Sequence, residues 1–202
     1  MKRLIVKRLI ITCWIFSLSG CVSTQFKAVA PGTISLGDLT VEATDASWNK
    51  APQTMTRHLH KGSQLWTRDG LLLDYMVLIP GVSDGGTLFK SRSKSLVYPA
   101  YQAGMLPNEI VELTESSLAK LNGTDVAVSS SNLRPFRLGA QRAVMFDLTL
   151  IGTDGPSRRG RAVAFVQDEA LYLMLYVGTR LHYFDKHWDS ALATMKTARL
   201  SS

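Results

Sequence analysis

The run Leu71-Leu72-Leu73-Asp74-Tyr75-Met76-Val77-Leu78-Ile79 constrains the fold more than any other part of the chain. It is bounded by Gly70 before and Pro80-Gly81 after, so it reads as one strand. Successive side chains of a strand alternate, which puts Leu71, Leu73, Tyr75, Val77 and Ile79 on one face and Leu72, Met76 and Leu78 on the other. A strand apolar on both faces needs packing elements above and below it. Just upstream, Gln64–Thr67 leads into Arg68-Asp69-Gly70, and Asp-Gly suits the positive φ of a tight hairpin turn.

Around that hairpin the chain alternates few elements. A first strand is predicted over Leu39–Ala43 and a helix over 107–121. Leu106, Ile110, Leu113, Ser117 and Leu121 fall at helical spacing, Glu109 and Glu112 sit near the positive end of the helix dipole, and Asn122-Gly123 stops it. Further strands are predicted at 126–130, 142–151, 160–167 and 170–177. Last comes an amphipathic helix carrying Phe184, Trp188, Ala191, Leu192 and Met195. Strands, helix, antiparallel strands and helix, without strand–helix–strand alternation, give an α+β class: an antiparallel sheet with helices packed on it.

The strand Arg161-Ala162-Val163-Ala164-Phe165-Val166, the strand Leu171-Tyr172-Leu173-Met174-Leu175-Tyr176 and a helix beginning near Phe184 together resemble the C-terminal half of PsbP-like domains. The resemblance covers roughly residues 65–200 and implies an α/β/α sandwich around an antiparallel sheet. That family spans photosystem subunits and bacterial envelope proteins, so the resemblance transfers no catalytic residue.

The location of the chain is read from its start. Leu18-Ser19-Gly20-Cys21 matches the bacterial lipobox, in which the cysteine is acylated and becomes the mature N-terminus. Met1-Lys2-Arg3 and Lys7-Arg8 supply a basic region ahead of it, and the apolar core from Leu9 to Leu18 is far short of the roughly 18–20 residues that span a bilayer. The expected organisation is a signal at 1–20, a lipidated tether at 21–37 and one domain at 38–202. Val22 in place of Asp implies the outer rather than the inner membrane of a two-membrane cell. Four of the 23 Lys and Arg lie in the signal and none of the 16 acids does, so the formal +7 becomes 19 against 16, or +3. Nucleic acid is therefore not an expected partner. Cys13 would leave with the signal, so no disulfide is expected and packing alone must hold the domain.

Several patterns invite chemistry. Gly81-Val82-Ser83-Asp84-Gly85 satisfies G-x-S-x-G, but that motif requires a helix directly after the turn, and Gly86-Thr87-Leu88-Phe89-Lys90-Ser91 does not read as one. His58-x-His60 supplies half a metal site with nothing to complete it, while His182 and His187 read as surface residues, His187 on the polar side of the last helix. Glu109, Glu112 and Glu115 read as the exposed face of the first helix. Tyr98, Tyr101, Tyr172, Tyr176, Tyr183 and Trp188 read mostly as core. Arg158, Arg159 and Arg161 form the densest basic run after the lipobox, with Arg134, Arg137 and Arg142 able to join them if adjacent strands pair. Guanidinium groups bind oxyanions in a bidentate manner, so this run is the candidate surface for phosphate or an acidic partner.

These readings converge on a lipid-anchored, periplasm-facing binding or assembly module, without catalysis, cofactor or metal. Its expected partners are the membrane, through Cys21, and an envelope protein. The competing expectation is a carrier or sensor holding a small ligand or lipid between helix and sheet.

Overall fold

The computed structural model describes residues 25–45, 47–91, 93, 95–153 and 155–201; the expected signal and Cys21 lie outside them. Along the described chain the elements are β1 (Lys27–Ala28), β2 (Gly32–Leu36), β3 (Leu39–Ala43), β4 (Asn49–Lys50), α1 (Gln53–Thr56), β5 (Gln64–Thr67) and β6 (Asp74–Val82). They continue with α2 (Pro107–Asn122), β7 (Val126–Leu138), β8 (Gln141–Gly152), β9 (Arg158–Gln167), β10 (Ala170–Thr179), α3 (Tyr183–Lys196) and β11 (Arg199–Leu200). An eight-stranded sheet runs β1-β4-β5-β6-β10-β9-β8-β7, every neighbour antiparallel, and a small sheet runs β11-β3-β2.

The two-faced strand β6 lies inside the large sheet, as its composition requires. Val77 and Ile79 pack with Ile110, Leu113 and Leu118 of α2 and with Leu88, Phe89 and Tyr101 of the segment after β6. Met76 and Leu78 pack on the opposite face with Phe184, Ala191 and Met195 of α3 and with Leu39 and Val41 of the small sheet. The result is an α+β sandwich with a core on each side of an antiparallel sheet.

Local chemistry sets the boundaries. Pro107 opens α2, the Glu109 carboxylate accepts from the Leu106 amide at 2.6 Å, and Gly123 ends it at φ +79°. Among the described residues no helix is long and apolar enough to cross a membrane.

Four sequence expectations change. The stretch 21–37 is not all tether: β2 pairs with β3, β1 pairs with β4, and Val29 and Leu36 are buried. The strand expected from Leu71 starts at Asp74, and Leu72 is 78% exposed instead of covered. The cause is Asp74 itself, 1% exposed, whose carboxylate accepts from the amides of Arg68 at 3.0 Å and Asp69 at 2.8 Å. A turn wrapped around a buried carboxylate replaces the tight Asp-Gly hairpin. Leu106 stands outside the buried face of α2, 60% exposed. Finally, β7 runs to Leu138, well past 130, with a register irregularity between Ser131 and Arg134 and Asn132 at φ +54°. Its alternating residues lie on an edge strand, where Val126, Val128 and Ser130 face α2 and the intervening side chains face solvent, so no continuous apolar run is required.

Candidate functional site

Strand register gives the sheet two distinct ends. One gathers the turn before β6, the β8–β9 turn, and the loop from β10 into α3, because Gly178 pairs with Asp74 and Thr179 with Arg158. The other end holds the exits of β6 and β9.

The three candidate arginines belong to the first end but do not form one surface. Alternation along β9 sends Arg158 toward the α2 side and Arg159 and Arg161 toward α3. Arg158 Nη2 donates to the Leu72 carbonyl at 3.0 Å. Arg159 donates to Asp185 at 3.2 Å and lies 4.5 Å from the Phe184 ring centroid. Arg161 donates from Nε to Asp147 at 2.5 Å and stacks 4.5 Å from the Trp188 ring centroid. Burial alone would raise the Asp147 carboxyl, but hydrogen bonds from Arg161 and Asn132 outweigh it and hold the group below its ordinary range. Two of these arginines therefore clamp α3 onto the sheet. Arg134 also reaches Asp147, at 3.3 Å, while Arg137 and Arg142 face each other across β7–β8 at the far end.

A second clamp joins the turn before β6 to α3. Asp69 accepts from Lys186 at 2.7 Å and engages His187 Nε2 at 2.5 Å, and these two hydrogen bonds hold its carboxyl below the usual value. His187 is 7% exposed, so it is not the surface histidine expected. Its charge-capable partner Asp69 lies 118 positions away, which no local pattern reveals. Arg68 bridges Asp45 and Ser190; burial would raise the Asp45 carboxyl, but hydrogen bonds from Ser47 and Arg68 bring it down to about 2. The Ser190 hydroxyl donates to Asp45 at 3.1 Å, so it is engaged with a carboxylate.

The remaining candidates fall apart geometrically. Ser83 is exposed on a turn with no helix directly after it, so the G-x-S-x-G match lacks its strand–turn–helix context. His60 Nδ1 lies 3.1 Å from the Thr87 carbonyl, and among the described residues no group of three His, Cys, Asp or Glu gathers as a metal site. Tyr98, Tyr101, Tyr172 and Tyr176 are buried; the Tyr176 hydroxyl donates to the Tyr183 carbonyl at 2.8 Å, and burial raises its pKa. Glu115 accepts from Ser130 at 2.5 Å.

Two features stand out instead. The first is an apolar tip at the Arg158 end, where Leu72 is 78%, Ile151 55% and Leu181 90% exposed. The tip is stitched together by backbone: Thr179 N donates to Leu73 O and Arg180 N to Ser157 O, both at 2.9 Å. A groove of about 530 Å³ floored by Leu73, Val126 and Leu150 opens beside Leu72. The two-faced strand reading of 71–79 put Leu72 on a covered face and so hid it, since a turn residue and a strand residue look alike in an apolar run. The second feature is an apolar pocket of about 160 Å³ between α2 and the sheet, lined by Leu65, Leu71, Tyr75, Val77, Leu118 and Leu121.

No family model matches the chain, and no curated protein does. Solved structures do. A cyanobacterial PsbP (CyanoP) from Synechocystis sp. PCC 6803 superposes with a TM-score of 0.58 at 8% identity, covering 91% of this chain and 99% of its own. The Ran-binding protein Mog1p of Saccharomyces cerevisiae gives 0.49 at 8% identity, over 88% and 96% of the two chains, and a Mog1 variant gives 0.48 at 7%, over 85% and 96%. The chain thus has the PsbP-like fold.

Proposed function

We propose that the chain is a lipid-anchored module of the cell envelope that binds another envelope component and performs no catalysis. The observation that carries this reading is the apolar tip. Leu72 and Leu181 stand in solvent on loops tied down by the Thr179–Leu73 and Arg180–Ser157 backbone hydrogen bonds, and Ile151 stands at the end of β8, so this end of the fold is held in shape before any partner arrives. Large apolar side chains left in water at one end of a fold favour association with a partner that covers them. Charges beside them are largely paired within the chain, Arg159 with Asp185 and Lys186 with Asp69, which favours an apolar contact over an ionic one. The PsbP-like fold is compatible with this role. Cys21 supplies the anchor, and Val22 favours the outer membrane.

The test places a photo-crosslinking residue at position 72 or 181 in the membrane-extracted protein, with position 116 on α2 as control. A discrete adduct from the tip alone, lost from position 72 when Leu181→Ser is added and from position 181 when Leu72→Ser is added, supports the reading; adducts indifferent to position refute it. Intact mass of the same material checks for acyl chains on Cys21 and absence of residues 1–20.

The carrier alternative rests on the pocket under α2. At about 160 Å³ it is well below the roughly 300–1,000 Å³ of ordinary ligand sites. It matches a benzene-sized guest, which makes a small apolar ligand the admissible version and a whole lipid the inadmissible one.

A further inference from the structure

We infer that a basic cleft at the end of the sheet opposite the apolar tip is a docking surface for the anionic phosphate headgroups of the membrane that holds Cys21; the orientation part of this inference rests on the proposed anchoring. The cleft, about 420 Å³, is lined by Lys50, Arg57, Lys61 and Lys90 along with His60 and Gln53. All four cations are exposed, and none forms an ion pair among the described residues. None of the carboxylates Asp84, Glu109, Glu112, Asp168 or Glu169 lines it.

The cations are gathered by structure rather than by sequence. Lys90 comes from the segment after β6 and is fixed beside the 57–61 turn by two backbone bonds: its amide donates to His58 O at 2.7 Å, and His60 N donates to Leu88 O at 3.1 Å. Lys50 closes the other wall from β4, and there it faces Lys27 of β1 in direct cross-strand register. Like charges placed opposite one another weaken a strand pair. An anionic surface removes that penalty and supplies the counter-charge that the described residues do not.

Strand direction connects the cleft to the anchor. β5 runs from the cleft toward the tip, β4 antiparallel to it, and β1 antiparallel to β4, so the chain passes into β1 from the cleft side. Only Val22 to Phe26 separate Cys21 from Lys27, a span that reaches at most about 20 Å fully extended. A domain held that closely must lay some surface on the bilayer, and the surface nearest the anchor is the unpaired basic one. Docked this way, Leu72, Ile151 and Leu181 point away from the membrane.

The test uses the processed protein reconstituted into vesicles, with a dye introduced as an unnatural amino acid at position 53 or at position 181. Energy transfer to a headgroup-attached acceptor reports which end lies on the lipid. In phosphatidylglycerol-containing vesicles transfer from position 53 is strong and from position 181 weak. In pure phosphatidylcholine, and at an ionic strength of about 1 M where screening shortens to about 3 Å, the excess of position 53 over position 181 disappears. Each basic residue at an anionic surface contributes about fivefold, so Lys50→Glu/Lys61→Glu/Lys90→Glu lowers the docked-to-undocked ratio by more than about a hundredfold. In phosphatidylglycerol-containing vesicles, equal transfer from both positions or stronger transfer from position 181 would overturn the inference, as would an excess at position 53 that ignores lipid charge. The lipid exchange needs no variant, so it decides the matter even where the triple reversal is poorly folded. An intact mass without acyl chains defeats the anchoring alone; transfer from position 53 then reports vesicle binding by the cleft itself, with the same charge dependence required.

Discussion

Asp74→Ala is expected to loosen the tip that the proposed function depends on. The carboxylate is 1% exposed and accepts from the amides of Arg68 and Asp69 at 3.0 and 2.8 Å, with Thr67 Oγ1 at 3.2 Å. Alanine leaves those two amides without an acceptor. Hydrogen bonds to a charged group contribute about 1.5–3 kcal/mol each, so two lost bonds cost about 3–6 kcal/mol. Water reaches the exposed Asp69 and recovers part of this, which places the loss near the lower limit, about 3–4 kcal/mol. For a domain of this size that lowers Tm by about 6–16 °C. Asp74→Asn keeps one carbonyl acceptor of the same shape and should lose about half as much. Urea unfolding followed by circular dichroism measures both, with the slope unchanged if only the native state is affected. A loss below about 1 kcal/mol in Asp74→Ala, or equal losses in the two variants, would refute the carboxylate as the organiser of this turn.

Acid unfolding should have a limb set by Asp45, Asp69 and Asp147, whose carboxyls all lie below the ordinary value in the folded chain. Such groups contribute fully above the unfolded carboxylate pKa of about 3.9, and the contribution fades as pH falls through the folded values, near 2 for Asp45; Asp147→Asn should flatten that limb in a pH-dependent unfolding series. Gly178→Ala would place a Cβ 2.6 Å from the Phe184 amide nitrogen and 2.7 Å from its Cα, forcing backbone to move, with an expected loss of about 2 kcal/mol or more by thermal unfolding. Leu118→Ala should cost about 3 kcal/mol and enlarge the pocket under α2, with benzene restoring part of the lost Tm.

The layers of the fold were legible because burial on two faces leaves a signature: β6, β9 and β10 each carry apolar residues on alternate and intervening positions alike, and α3 shows its stripe from Phe184 to Met195. The surfaces were not legible. Arg158, Arg159 and Arg161 are adjacent in sequence, yet strand alternation separates the first from the others, so proximity along the chain misled. Conversely Lys50, Arg57, Lys61 and Lys90 share one cleft although forty positions separate the first from the last. A faint signal existed, since no Asp or Glu occurs between Asp45 and Asp69. His187 escaped because its carboxylate arrives from a distant turn. The small sheet escaped because Gly32–Leu36 is polar and short, and only its pairing with β3 makes it a strand.

If the proposed anchor holds, the irregular edge strand β7 has a consequence for crowding on the bilayer. Molecules tethered to a bilayer are confined to two dimensions and meet one another far more often than in solution, and an open sheet edge offers a ready template for another chain. At β7 the irregularity around Asn132 breaks the ladder, and Pro135 removes one amide donor from it. At the opposite margin β1 is only two residues long. Neither margin presents a continuous row of donors and acceptors, so the eight-stranded sheet terminates at both sides and crowding drives no strand-to-strand polymer. Contacts are left to the two ends of the strands, where the apolar loops and the cationic cleft reside.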